Sequence, residues 1–262
     1  MSHFIWNIDP ILASIGPLTI HWYGALFASA IFAGLYFMKW VYIQEKQPVD
    51  SLDNLLMYSV IGIIIGARLG HCLFYDPSYY LANPLKILAI WEGGLASHGG
   101  GLGIIIAVFI YCKRNNQDLL WLLDRLAITT ALFGIFVRSA NFVNSEIIGK
   151  VTDVPWAIVF QRIDNLPRHP AQLYEAFAYL LIFITLTLLY RFTSAKSYRG
   201  MLLGIFLIMT FTARFIIEFF KQQQAAYTID TSLNTGQMLS IPFFIIGIVL
   251  VLLSIKRAAR DK

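Results

Sequence analysis

The sequence predicts an all-α integral membrane protein with seven transmembrane helices, and three observations carry that prediction. Apolar residues make up 58 % of the 262-residue chain, and charged residues only 13 %, about half the charged share of an ordinary soluble domain. Mean hydropathy is +0.65. Apolar residues gather into seven long runs, and a helix needs about 20 of them to cross a bilayer. A soluble enzyme, a nucleic-acid-binding module and a disordered linker are excluded at this level. The pI near 9.2 reflects cations in cytoplasmic loops rather than a nucleic-acid partner.

The runs fall near 18–43, 55–75, 95–112, 119–137, 172–191, 200–220 and 238–255. The first is retained as a span, because Met1–Met38 holds no Lys or Arg and so lacks the basic start of a cleavable signal peptide. The third is the weakest, with Gly93, Gly94 and Gly99–Gly101 crowding its start. Seven crossings put the termini on opposite sides, and positive charge chooses between them. With the N-terminus outside, eleven of the 20 Lys and Arg fall in inner segments and six in outer ones. The expected topology is therefore N-terminus outside and C-terminus cytoplasmic, in one membrane domain over 1–262. A small outer-face loop region at 138–171 joins spans four and five. That loop carries four of the six outer cations, more than topology requires. Cys72 and Cys112 lie 40 residues apart in apolar runs, without metal spacing.

Ionisable groups within a bilayer are costly and mark functional candidates. At a rise of 1.5 Å per residue, Arg68 lies roughly 20 Å from the inner end of span two. Arg214 and Glu218 reach a comparable outer level on span six, and Arg138 ends span four there. His98 starts span three, Glu175 starts span five, and His21 and Tyr23 start span one, all on the outer side. Interfacial anchoring is the competing reading: Arg214 and Glu218 stand at i,i+4, and Trp22 with Tyr23 suits an aromatic belt. Asp124 and Arg125, towards the inner half of span four, are expected to pair locally or snorkel.

Arginines at headgroup depth suit a phosphate, whose oxygens match the guanidinium fork. The segment WEGGLASHGGGLG, Trp91–Gly103, sets His98 among glycines, and a neutral imidazole can accept a proton. Glycines easing helix packing beside an interfacial histidine would look the same. RSANFVNSEIIG, Arg138–Gly149, gathers one cation, two amides and a carboxylate where span four meets the interface. Asn141, Asn144 and Glu146 could orient glycerol hydroxyls; a polar helix cap and turn is the alternative. A lipid-translocating transporter or an intramembrane protease built on Ser139 also fits a bundle of seven spans. Internal repeats are too short for the first, and Ser139 has no evident histidine partner for the second.

These residues resemble the prolipoprotein diacylglyceryl transferase family. Its signature is matched at Arg138, Asn141, Phe142, Asn144, Glu146 and Gly149, and GPLTIHWYG (16–24), WEGG…HGG (91–100), RHPAQLYEA (168–176) and RFIIEFF (214–220) follow its order. The chain departs from the commoner pattern at Val137, Ala140, Thr210 and Lys221-Gln222-Gln223. The resemblance implies transfer of the diacylglyceryl group of phosphatidylglycerol to the lipobox cysteine thiol in the signal peptide of a preprolipoprotein. Glycerol 1-phosphate is released, at the outer leaflet of a bacterial inner membrane. No cofactor, metal or nucleic acid is implied, only membrane lipids and the two substrates. His98, Tyr23, Arg138 and Arg214 are the expected catalytic residues. Arg138, Asn141, Asn144, Glu146, Gly149, Arg68 and Glu218 are expected to bind substrate.

Overall fold

A run of apolar residues becomes a helix only where no turn chemistry interrupts it, and the first interruption lies at Gly16-Pro17. In a computed structural model, which describes residues 3–222 and 233–260, Ile11–Ile15 (β2) and Leu18–His21 (β3) pair as an antiparallel hairpin across that turn. The first helix therefore starts at Trp22, not at 18, and His21 belongs to a strand. Phe4–Trp6 (β1) runs parallel to Ile158–Phe160 (β4), which pairs antiparallel with Pro167–Arg168 (β5). The all-α expectation thus needs two small sheets added to it.

Among the described residues, each of the seven apolar runs coincides with a helix of 17 residues or more. These are α1 (Trp22–Gln44), α2 (Ser51–Phe74), α4 (Ser97–Arg114), α5 (Leu119–Val143), α6 (Ala171–Phe192), α7 (Met201–Ile217) and α8 (Thr235–Arg260); a short α3 (Pro77–Ala82) precedes α4. Five of them, α1, α2, α5, α6 and α8, are long and apolar enough to cross a membrane. At 17 residues, α7 is shorter. The polar ends of α4, SHGGG at one and Lys113-Arg114 at the other, dilute its apolar run.

The chain divides into two compact units. In Lys39–Leu122, α2 and α4 approach so closely that only glycine fits between them. A Cβ on Gly66 would lie 2.3 Å from the Gly99 carbonyl oxygen, and one on Gly103 would lie 2.0 Å from that of Gly62. This is the small-residue contact that membrane helices use in place of hydrophobic burial. At the other end of α4, the Trp121 indole donates to Glu45 at 2.7 Å and its ring meets Tyr42 edge-on.

The other unit, Met1–Met38 with Leu123–Lys262, holds α5, α6, α7, α8 and the strands. Its helix α5 continues six residues past the expected end of span four. Arg138 and Asn141 therefore stand on a helix, and the expected loop at 138–171 is irregular only after Val143. The segment behind it is ordered around a small core. Phe142 packs on Trp6 at 4.3 Å between ring centroids and edge-on against Phe160 at 5.8 Å, with Ile148 and Ile158 alongside. At the start of α8, Asn234 and Gln237 exchange side chain-to-backbone hydrogen bonds as a capping box. Their remaining amide donors reach the carbonyls of Glu218 and Phe215, tying α8 to the end of α7.

Asp124 does not snorkel. Fully buried, it accepts from the Gly200 and Leu203 amides at 2.7 and 2.8 Å and so caps the N-terminus of α7 from a neighbouring helix. A carboxylate there satisfies two orphan donors and meets the positive end of the helix dipole. Arg125, 3.9 Å from Asp124, donates to the Lys196 carbonyl. Asp124→Ala is expected to cost about 2 kcal/mol, the upper range for a lost helix cap, and Asp124→Asn less, because one acceptor remains. Thermal unfolding of the purified variants in detergent micelles checks that order.

Candidate active site

Four ionisable side chains from two helices and the turn after α7 form one line of alternating charge. Arg138 Nε lies 3.1 Å from Glu175 Oε2. Glu175 Oε1 accepts from Lys221 Nζ at 3.0 Å, and the same ammonium is 3.6 Å from Glu218 Oε2. Glu175 and Lys221 are buried, and Arg138 is only 16 % exposed. Ions withdrawn from water this far need partners on every side, and the alternation supplies them. Arg214 lines the same small cavity as Glu175, together with Tyr179 and Thr210. Three cations thus stand against two carboxylates, an excess of one positive charge, which suits a monoanionic phosphodiester.

The amides of the signature turn inward on its carboxylate. Asn141 donates to Glu146 Oε2 at 3.0 Å and Asn144 to Oε1 at 3.1 Å, while Asn141 Oδ1 accepts from Arg138 at 3.3 Å. Gln172 on α6 donates to the Glu146 carbonyl. Ser145 and Ile147, on either side, have φ of +58° and +54°. This conformation is uncommon for serine and strained for a β-branched residue. Local energy is thus spent to present an exposed Glu146 carboxylate.

Gly149 lies sandwiched between two chain segments. Its N–H donates to the His169 carbonyl, and the adjacent Lys150 N–H to that of Phe220. A Cβ here would sit 2.3 Å from the His169 carbonyl oxygen and 2.9 Å from that of Phe220. Arg168, buried, donates to the Gly149 carbonyl at 3.2 Å and pairs with Asp164. That guanidinium holds the Asp164 carboxyl below the usual carboxylate range. His169, whose Nδ1 is 3.0 Å from the Tyr174 hydroxyl, has its pKa lowered by burial.

The remaining expected site residues are placed differently. Tyr23 stacks beside Phe27, which meets Phe133 of α5 edge-on. His98 is exposed on the first turn of α4 in the other compact unit. Arg68 of that unit is not free to hold a phosphate. Only 3 % exposed, it spends four of its donor contacts on the carbonyls of Lys86, Ile87, Gly93 and Gly94 and lies over the Tyr80 ring. Its guanidinium organises the segment leading to α4. Glu218, expected to bind substrate, sits against Lys221. Conversely, sequence reasoning gave Lys221, Arg168, Gln172 and Tyr179 no role. For the first three, the signal was their place inside or beside RHPAQLYEA and RFIIEFF.

Because backbone rather than flexible side chains surrounds Gly149, Gly149→Ala is expected to separate the signature turn from the strand-like bridge to Lys221. The measurable outcome is faster proteolysis within 144–170; a variant indistinguishable from wild type would contradict this geometry.

A family model for prolipoprotein diacylglyceryl transferase matches residues 10–253. The chain is 55 % identical over 256 residues to the phosphatidylglycerol–prolipoprotein diacylglyceryl transferase of Tolumonas auensis, covering 97 % of this chain and 99 % of that one. It is 50 % identical to the protein of the same name from Chloroherpeton thalassium, with 100 % and 98 % covered. With that of Bacteroides fragilis the figures are 46 %, 93 % and 92 %. With the signature residues joined around Arg138 and the likeness running nearly end to end, the chain belongs to the prolipoprotein diacylglyceryl transferase family.

Proposed function

We propose that this chain moves the diacylglyceryl group of phosphatidylglycerol onto the lipobox cysteine thiol of a preprolipoprotein signal peptide, the first step of lipoprotein maturation. The thiol sulfur attacks a glycerol carbon, a C–S bond forms, the C–O bond to phosphate breaks, and glycerol 1-phosphate leaves. The observation that carries this reading is the held arginine. Arg138 is fixed through Glu175 at 3.1 Å and Asn141 at 3.3 Å, in a cluster with one surplus positive charge. Preorganised cations of this kind stabilise the charge gathering on a departing phosphate without reorganising.

The other roles follow from what each side chain has left to offer. Glu146, exposed and steadied by two amides, accepts from the headgroup glycerol hydroxyls, and Asn144 retains a buried amide oxygen without a partner. Arg214 is the second phosphate ligand. Gly149 keeps the turn close to His169, Glu218 steadies Lys221, and Arg68 fixes the approach to α4 instead of touching lipid. His98 takes the thiol proton, with Tyr23 as a relay, since a free thiol with pKa about 8.5 is a weak nucleophile. We place α4 and α7 in the membrane too, giving seven spans with the N-terminus outside. The site then faces the outer leaflet of the bacterial inner membrane.

The test combines purified protein, radiolabelled phosphatidylglycerol and a lipobox peptide carrying either Cys or Ser. Label is expected on the Cys peptide alone; no label on either would remove the assignment. Arg138→Ala is expected to abolish transfer. His98→Asn is expected to slow it and leave a residual rate that climbs between pH 6 and 9 as free thiolate accumulates. A residual rate flat across that interval would take the base role from His98.

A further inference from the structure

A chain of hydrogen bonds beside the signature turn ends on one imidazole. His169 stands just before α6, Tyr174 lies on the first turn of that helix, and Trp156 comes from the segment just before β4. The Trp156 indole N–H donates to the Tyr174 oxygen at 2.8 Å, and that oxygen is 3.0 Å from His169 Nδ1. An indole nitrogen can only donate, so the phenol accepts there and its own proton is left for one other bond. Among the described residues, the only acceptor it meets is His169 Nδ1. The ring proton of His169 therefore sits on Nε2, since the bond at one nitrogen sets the state of the other. Burial lowers the pKa of this histidine, which keeps the ring uncharged at neutral pH. Phe220 packs edge-on against both rings, at 5.1 Å from that of His169 and 6.1 Å from that of Tyr174, and holds their planes.

The Nε2–H is left over. Among the described residues nothing accepts from it, and the ring is only half-buried. The His169 backbone is already part of the site: its carbonyl accepts from the Gly149 N–H at 3.0 Å, and its N–H donates to the Lys150 carbonyl at 3.0 Å. The ring thus stands against the last residue of the signature, whose Arg138 and Glu146 are assigned above to the lipid headgroup. Val151, Trp156 and Phe220 expose apolar surface nearby, a composition suited to the membrane–water interface. In a lipid held by its headgroup on Arg138 and Glu146, the next polar atoms are the two acyl ester carbonyls. They are uncharged acceptors and suit an uncharged donor, whereas a phosphate is matched by the arginines. We infer that His169 is a further substrate-binding residue, its Nε2–H donating to an acyl ester carbonyl of the lipid, with Tyr174 as the residue that positions it. The inference rests on the lipid-transferring reading given above and adds the contact that holds the acyl end of the substrate.

A dialkyl ether analogue of phosphatidylglycerol lacks both ester carbonyls but keeps the C–O bond that breaks. His169→Asn keeps an acceptor for Tyr174 and loses the reach of Nε2. In the full-length protein with a lipobox peptide, its kcat/KM on the ester lipid is expected to fall about three- to tenfold, the scale of one neutral hydrogen bond, through KM for the lipid. Wild type on the ether lipid should lose the same factor. His169→Asn on the ether lipid should lose little more, as when two changes remove one interaction. His169→Gln, whose amide N–H returns near the Nε2 position, should recover part of the loss. Nitrogen NMR of histidine-labelled protein reads the tautomer directly: the ring signal missing from His169→Asn should report Nε2–H alone in wild type and both tautomers in Tyr174→Phe. An equal loss in His169→Asn on the two lipids would make the residue structural and overturn the inference. No loss on the ester lipid would do the same, as would a wild-type His169 protonated at Nδ1. Failure of wild type to transfer label from the ester lipid would instead remove the function assignment beneath it.

Discussion

Everything around the signature depends on one buried carboxylate with a cation on each side. Glu175 receives Arg138 from α5 on one oxygen and Lys221 from beyond α7 on the other, so it joins three segments far apart in sequence. An isolated carboxylate there would be costly to bury, and so would either cation. Lys221 is met in turn by Glu218, so this line is neutral in itself, and Arg214 on the adjoining cavity carries the surplus positive charge.

The helices were legible in the sequence because lipid demands long apolar runs and nothing else in this chain resembles one. Their ends were less so. Arg138 reads as the end of a span, since a charge normally marks the interface, yet α5 continues to Val143 because Glu175 neutralises that charge inside the bundle. The second strand of the hairpin, Leu18–His21, falls within the expected first span because it is as apolar as the helix that follows it. Depth along a helix also says nothing of direction. Arg68 and Arg138 are both expected at the outer level, but one turns to a loop's carbonyls and the other to a carboxylate. Asp124 could not be read as a cap for the same reason, since its partners lie 76 and 79 residues onward.

Strain and rigidity are distributed unevenly around Glu146. Ser145 and Ile147 adopt left-handed backbone on either side of it, and this costly conformation persists because the surroundings over-determine it. Phe142 is locked into the aromatic core, Gln172 holds the Glu146 carbonyl, and Gly149 is clasped between two strands of backbone. The exposed carboxylate therefore projects from a frame with little freedom to relax when a ligand arrives or leaves.

The parallel pairing of Phe4–Trp6 with Ile158–Phe160 sets a schedule for biogenesis. The first strand is made early, but its partner leaves the ribosome more than 150 residues later. At about 5–20 residues per second the delay is roughly ten to thirty seconds. Throughout it, an apolar strand edge has no native partner, the situation in which unpaired strands associate wrongly. The core that steadies the signature turn can therefore close only after Phe160 has emerged, and the interval before that closure is one in which the nascent chain is exposed to quality control.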